Sequence, residues 1–162
     1  MEAAIALVDY HNGEIKALVG GREEEGSKRG FNRATDARRQ PGSTFKPLAA
    51  YGPALEENYP PYMVLTDEPV RYGKYTPKNY GGGYRGDMRM STALKLSVNV
   101  WAVKLLDLIG VEKGYQFASR LGFNLVPEDK GALPGTGRSD QWSLPPGNGY
   151  RLWCLCQWRP AG

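Results

Sequence analysis

A chain of 162 residues fits one ordinary domain, and 41% hydrophobic with 23% charged residues is a globular composition, not a disordered one. The formal net charge of +4 does not make a nucleic-acid binder: no Lys/Arg run follows a helix face, "GSKRGFNRATDARR" mixes both signs, and Arg138, Arg151 and Arg159 against Asp140 supply +2 of the total from the last stretch alone. No apolar run approaches the roughly 20 residues of a membrane span, so a soluble chain with no signal or anchor of its own is expected.

In chain order, the first predicted element is a hairpin over 4–19. Ile5 and Leu7 alternate with small residues, as do Ile15, Ala17 and Val19, and Asn12-Gly13 between them is the pair favoured in a tight turn with positive φ. His11 beside that turn reads as a surface residue. The polar stretch "REEEGSKRGFNRATDARRQPG" reads as a loop. A helix is predicted from Ser43 to about Tyr51, with Pro47 in its first turn, where a missing N–H costs little. From "NYPPY" to "GGGYRG" the Pro, Gly and Tyr content predicts loops and short extended pieces. Ser91 or Thr92 is expected to cap a short helix. Asn99 to Ile109 forms another, with Val100, Val103 and Leu106 at helical spacing before Gly110, and a third runs from about Glu112 to Leu121 and stops at Gly122. Residues 132–162 show neither helical nor strand periodicity, yet hold three of the four Trp and both Cys. Cys154 and Cys156 are too close to pair readily, and with His11 as the lone histidine no zinc site or other metal or cofactor is expected.

The chemistry lies in "RQPGSTFKP". At a helix start, residues three apart share a face, so Ser43 Oγ and Lys46 Nζ come within reach of each other, and the positive end of the helix favours the neutral amine that a base requires. A serine activated by a lysine is an established alternative to Ser-His-Asp. The bare S-x-x-K spacing is weak, since an N-cap serine and a solvated lysine produce it too.

The flanks are more specific. "RQPGSTFKP" resembles the nucleophile motif of the penicillin-binding proteins, and Ser97-Val98-Asn99 in "ALKLSVNVWAVKL" resembles their second motif, S-x-N. "AIALVDYHNGEIKALVGGRE" is similar to the first hairpin of their transpeptidase domain, and "YTPKNYGGGYRGDMRMSTALKLSVNV" to the segment leading into S-x-N. The resemblance covers residues 2 to about 131 and is to the class A, bifunctional type. It implies an α/β (α+β) fold, with helices around an antiparallel sheet. It also implies a D,D-transpeptidase acting on peptidoglycan stem peptides that end in D-Ala-D-Ala and acylated by β-lactams, in a parent protein at the extracytoplasmic face of the cell membrane. By resemblance, Ser43 is the nucleophile, Lys46 its general base, Ser97 the proton relay to the leaving amine, and Asn99 a hydrogen-bonding partner of substrate and of Lys46. Asp67 in "LTDEP" and Asn79 in "PKNY" also fall at recurring family positions and read as loop-fixing residues.

The family's third motif, K-T/S-G, holds the substrate carboxylate from a core strand, and no such string occurs here. Residues 132–162 depart from the family pattern at the same time. Because Trp has a single codon, Trp142, Trp153 and Trp158 each force glycine one base later. The tail can be back-translated in that frame to P-S-L-A-L-G-G-L-T-N-G-V-S-P-L-E-M-A-T-A-Y-G-A-F-A-N-G, which resembles the family's continuation. Residues 1–131 are therefore expected to be a partial transpeptidase domain whose C-terminal strands are missing, and 132–162 a poorly ordered out-of-frame tail. Without K-T-G the chain as written is expected not to label with penicillin. A hydrolase of the β-lactamase or D,D-carboxypeptidase kind, or a non-catalytic remnant, remains as an alternative reading.

Overall fold

The structure, a computed structural model, describes residues 3–21, 32–35, 42–73, 75–123 and 125. The tail at 132–162 lies outside the described residues. Two compact units are distinguished; among the described residues the first holds 3–21 and 32–35 and the second 42–73, 75–123 and 125.

The described part of the first unit holds the expected hairpin and a short turn at 32–35. Strands β1 (Ile5–Val8) and β2 (Ile15–Val19) pair antiparallel, with Ile5 opposite Val19 and Leu7 opposite Ala17, and a bulge shifts the register at Val8. The turn is longer than the two-residue one that Asn12-Gly13 predicts. Asp9 N–H donates to Glu14 O (2.8 Å), Gly13 N–H to Asp9 O (2.7 Å), and Gly13 but not Asn12 takes positive φ (74°). Local side-chain bonds explain the difference: Asp9 Oδ1 accepts from His11 N–H and Asn12 Oδ1 from Glu14 N–H, so the loop is folded by its own Asx contacts. His11 is exposed, as expected, with its ring 3.9 Å from that of Tyr10.

The second unit opens with one continuous helical segment. It begins as a 3-10 turn (Gly42–Phe45), widens into a π turn (Pro47–Tyr51) and ends as α1 (Gly52–Glu56). Pro47 has no N–H to give the Ser43 carbonyl and its ring crowds that oxygen, which disfavours regular α geometry at this point. The segment outruns its predicted end because Gly52 does not terminate it. A Cβ on Gly52 would lie 2.6 Å from the Phe117 ring, so glycine is there for the close approach of a neighbouring helix.

Strands β3 (Val64–Asp67) and β4 (Gly86–Arg89) form a second antiparallel pair, Val64 opposite Arg89 and Asp67 opposite Gly86. Strand β4 runs straight into α2 (Met90–Lys95). Ser91 and Thr92 are therefore inside the first turn and do not cap it. The cap is unnecessary, because Met90 N–H donates to Met63 O (2.8 Å) and Ser91 N–H to Pro61 O (3.1 Å). Helices α3 (Asn99–Ile109) and α4 (Val111–Arg120) follow within a residue of their predicted bounds.

Helix α3 forms the centre of this unit, with Val100, Trp101, Ala102, Val103, Leu105 and Leu106 all fully buried. Its Trp101 stacks on Tyr51 (5.7 Å, 1° between planes) and donates Nε1–H to both Leu65 O and Met88 O (3.1 Å each), tying the helix to β3 and β4 at once. Helix α4 approaches the π turn so closely that a Cβ on Gly114 would sit 2.3 Å from Ala49 O.

Candidate active site

Three of the four residues singled out by motif meet directly. Lys46 follows Phe45, which is itself buried with its ring edge-on to Phe123 at 5.1 Å. The lysine is 1% exposed. Its Nζ donates to Ser97 O (2.6 Å), Ser97 Oγ (3.0 Å) and Asn99 Oδ1 (2.5 Å). Ser43 stands three residues before Lys46 on the 3-10 turn, where i and i+3 side chains eclipse, and it is exposed to solvent.

The electrostatics follow from this burial. Desolvation pulls the Lys46 ammonium down from its ordinary 10.5 to about 8. At pH 7 that raises the neutral fraction from about one in three thousand to about one in ten. Of the three oxygens that Ser97 and Asn99 bring to Nζ, only Ser97 Oγ carries a hydrogen, so only it can also donate to the lone pair of the neutral amine.

The S-x-N string is a junction of two helices. At the end of α2, Ser97 N–H donates to Leu94 O and Val98 N–H to Ala93 O (both 3.0 Å), the paired bonds of a Schellman turn. Ser97 occupies its left-handed position (φ 52°), where glycine is usual. That conformation presents both its carbonyl and its hydroxyl to Lys46. Val98 then precedes α3, and Asn99 is the first residue of the helix, not its cap.

The cap comes from elsewhere. Asn79 Oδ1 accepts from Asn99 N–H and Val100 N–H (3.1 Å each), while Asn79 Nδ2 donates to both oxygens of the fully buried Asp67 (2.9 and 3.0 Å) and to Gly83 O (3.0 Å). Asp67 Oδ2 also accepts from Arg85 N–H (3.0 Å). The loop-fixing expectation for these two residues describes half of what they do, since Asn79 also holds the helix on which Asn99 sits. Nothing in the local sequence of α3 signals a cap supplied twenty residues earlier. A carbonyl belongs to the site too: Lys78 O accepts from Asn99 Nδ2 (2.8 Å).

The Penicillin binding protein transpeptidase domain family matches residues 3–148. The chain belongs to that family. It is 44% identical over 128 residues to penicillin-binding protein 1F of Bacillus subtilis, covering 78% of this chain and 18% of that protein. With penicillin-binding protein 1A of Neisseria lactamica the identity is 34% over 167 residues, covering 94% of this chain and 21% of the relative. Among solved structures, penicillin-binding protein 1A from Haemophilus influenzae superposes with a TM-score of 0.68 at 32% identity, covering 83% of this chain and 21% of that one. The PonA1 protein from Mycobacterium tuberculosis, solved in complex with penicillin V, shares the fold with a TM-score of 0.68 at 24% identity, covering 91% of this chain and 39% of that one. The chain thus spans about a fifth of the length of the curated relatives it matches. The relatives are of the class A type, and the helices with small antiparallel sheets are the α/β fold that the sequence resembles. No helix among the described residues is long and apolar enough to cross a membrane.

Proposed function

We propose that this penicillin-binding transpeptidase segment carries the acylation machinery of a peptidoglycan D,D-transpeptidase. The observation that carries the reading is Lys46: a buried amine whose proton affinity is lowered to about 8, held between Ser97 and Asn99 one helical turn from an exposed serine. In this reading Ser43 Oγ attacks the carbonyl between the two terminal D-alanines as Lys46 takes its proton. Ser97 relays that proton from Lys46 to the departing D-alanine amine. The acyl group on Ser43 then passes to an amine of a neighbouring stem peptide, the ester C–O bond breaking as the amide C–N bond forms and the amine's proton returning to Ser43 Oγ through Lys46. Ser43 N–H contributes one oxyanion donor. β-Lactams acylate the same oxygen. In the parent protein this takes place at the extracytoplasmic face of the membrane.

Two further parts of the reading concern this chain alone. Its sequence contains no K-T/S-G string, and the oxyanion donor that the family draws from that strand is worth roughly 3 kcal/mol in comparable sites. The 162-residue chain by itself is therefore proposed to be inactive. Residues 132–162 are proposed to be out of frame. The family match runs on to residue 148, and the coding DNA around codon 131 decides the matter: no one-base shift restoring a family-like frame there would end the idea.

The test is a chimera in which residues 3–131 replace the equivalent segment of the full-length Bacillus subtilis relative. Fluorescent penicillin is expected to label it, Ser43→Ala to abolish the label, and Lys46→Met to slow acylation by about 10²- to 10⁴-fold. The acylation rate is expected to rise with pH through about 8, as the amine loses its proton. Labelling that survives Ser43→Ala sinks the assignment. Stoichiometric labelling of the 162-residue chain, lost in Ser43→Ala, overturns its proposed inactivity.

A further inference from the structure

The buried carboxylate of Asp67 and the amide of Asn79 do more than close the loop between β3 and β4. Asp67 is fully buried at the end of β3, and among the described residues its oxygens accept from the Asn79 amide and the Arg85 backbone. A carboxylate can only accept, so it dictates which end of Asn79 faces it: the NH2 group turns to Asp67, and the oxygen is forced to the opposite side. That oxygen meets the first two N–H groups of α3, on Asn99 and Val100, which no residue of α3 itself satisfies. The same logic repeats one residue along. Lys78 O can only accept, so it takes Asn99 Nδ2 and leaves Asn99 Oδ1 facing Lys46 Nζ.

We propose that Asp67 and Asn79 are positioning residues of the acylation site, a pair that orients the start of α3 so that Asn99 presents its side-chain oxygen to the Lys46 amine. The chain of dependence is continuous: Asp67 sets the Asn79 amide, Asn79 sets the backbone of Asn99, Lys78 sets the Asn99 amide, and Asn99 sets Lys46. Of the other charged groups on the elements around Lys46, Glu56 pairs with Arg120, Glu57 with Lys113 and Glu68 with Lys104 at the surface, while Lys95 and Asp107 are exposed. Asp67 is thus a carboxylate linked to this site through hydrogen bonds. The inference rests on the reading of Lys46 as the general base, and it adds the residues that hold that base in register.

The experiment uses the full 162-residue chain and needs no acylation. Amide exchange at Asn99 and Val100 and the titration of Lys46, followed by NMR at its Cε and Nζ, are measured with thermal stability for three proteins. In wild type both amides are expected to be protected and Lys46 to titrate near 8. In Asn79→Leu, exchange at these two amides is expected to accelerate at least about tenfold relative to the rest of α3, with the Lys46 midpoint displaced by at least about half a unit. The double variant D67N/N79D exchanges the roles: the amide now at position 67 donates to the carboxylate now at position 79, and that carboxylate accepts from the N–H groups of Asn99 and Val100. Protection should return, and the Lys46 midpoint should rise above wild type because the carboxylate now sits at the helix start. Unprotected amides in wild type, a Lys46 titration indifferent to Asn79→Leu, or a folded double variant that fails to restore protection each overturn the proposal. Loss of the fold in both variants overturns it as well, since the pair would then hold the loop and not the site. If Ser43 never accepts penicillin, the proposed reaction falls while these outcomes stay readable; a Lys46 midpoint deaf to Asn79 removes the positioning pair whatever Ser43 does.

Discussion

Three helices of this segment end in the same way and differ at one residue. Helix α1 closes with Asn58 N–H on Leu55 O and Tyr59 N–H on Ala54 O, α2 with the bonds from Ser97 and Val98, and α4 with Gly122 N–H on Ser119 O and Phe123 N–H on Ala118 O. Each places one residue in the left-handed region: Asn58 (φ 64°), Ser97 (φ 52°) and Gly122 (φ 87°). Glycine, and sometimes asparagine, are the residues that tolerate this conformation. The serine at the end of α2 is the exception, and it is the one of the three whose carbonyl and hydroxyl both touch Lys46. Two helix ends are chosen for ease of folding. The third accepts strain of order 1–3 kcal/mol to aim a polar side chain, which is where backbone strain is expected to collect in a protein with a working site.

Breaking that contrast at Ser97 has the largest expected effect. In the chimera, Ser97→Ala and Ser97→Gly both remove the hydroxyl beside Lys46, and both are expected to slow penicillin acylation about a hundredfold or more. Their stabilities should separate. Ala keeps the left-handed strain, whereas Gly relieves it, so Ser97→Gly is expected to melt higher than Ser97→Ala by an amount corresponding to about 1 kcal/mol. Equal melting temperatures for the two variants, measured calorimetrically, would show that Ser97 is not strained. A retained acylation rate would remove its hydroxyl from the reaction.

The converse change at Gly122 is expected to act on stability alone. Among the described residues a Cβ there would meet nothing within 4 Å, so Gly122→Ser is expected to carry a backbone penalty without a clash. The expected cost is about 1–2 kcal/mol, with no change in the Lys46 titration. A shift in that titration larger than the experimental scatter would couple the end of α4 to the site and spoil the comparison.

The same positions show what the sequence could and could not reveal. Helices α3 and α4 were legible because their apolar spacing and the closing Gly110 and Gly122 agree, and local signals then coincide with tertiary packing. The end of the first helix, expected at about Tyr51, fell short because a glycine such as Gly52 can end a helix or admit a neighbour, and the Phe117 ring that it admits lies over sixty residues away. Strand β3 is one of the short extended pieces expected of the Pro- and Tyr-rich stretch, but its bounds and its partner were not legible, since four residues paired with a strand twenty positions later leave no period of their own. At the site, Ser43, Lys46, Ser97 and Asn99 could be named from two motifs. The burial that lowers the Lys46 proton affinity could not, because it is a tertiary effect, and the residues that accept from Nζ, Ser97 and Asn99, lie more than fifty positions along the chain. Nor could the cap on α3, because the residue that would supply it locally, Val98, has no polar group and the one that does, Asn79, belongs to a different loop.

The smallest change calibrates the others. Asn58 is exposed, ends a helix away from Lys46, and carries a left-handed conformation that its short amide side chain tolerates. Asn58→Ser places the residue found at 97 in the same kind of turn but with no lysine to serve. The expected loss is about 0.5 kcal/mol, read from urea or thermal unfolding, against near-neutrality for Asn58→Gly. That difference isolates the intrinsic cost of a serine at this position. A serine that costs nothing at residue 58 would mean that Ser97 needs no functional explanation for its backbone, and the contrast between the three helix ends would reduce to the side chain it carries.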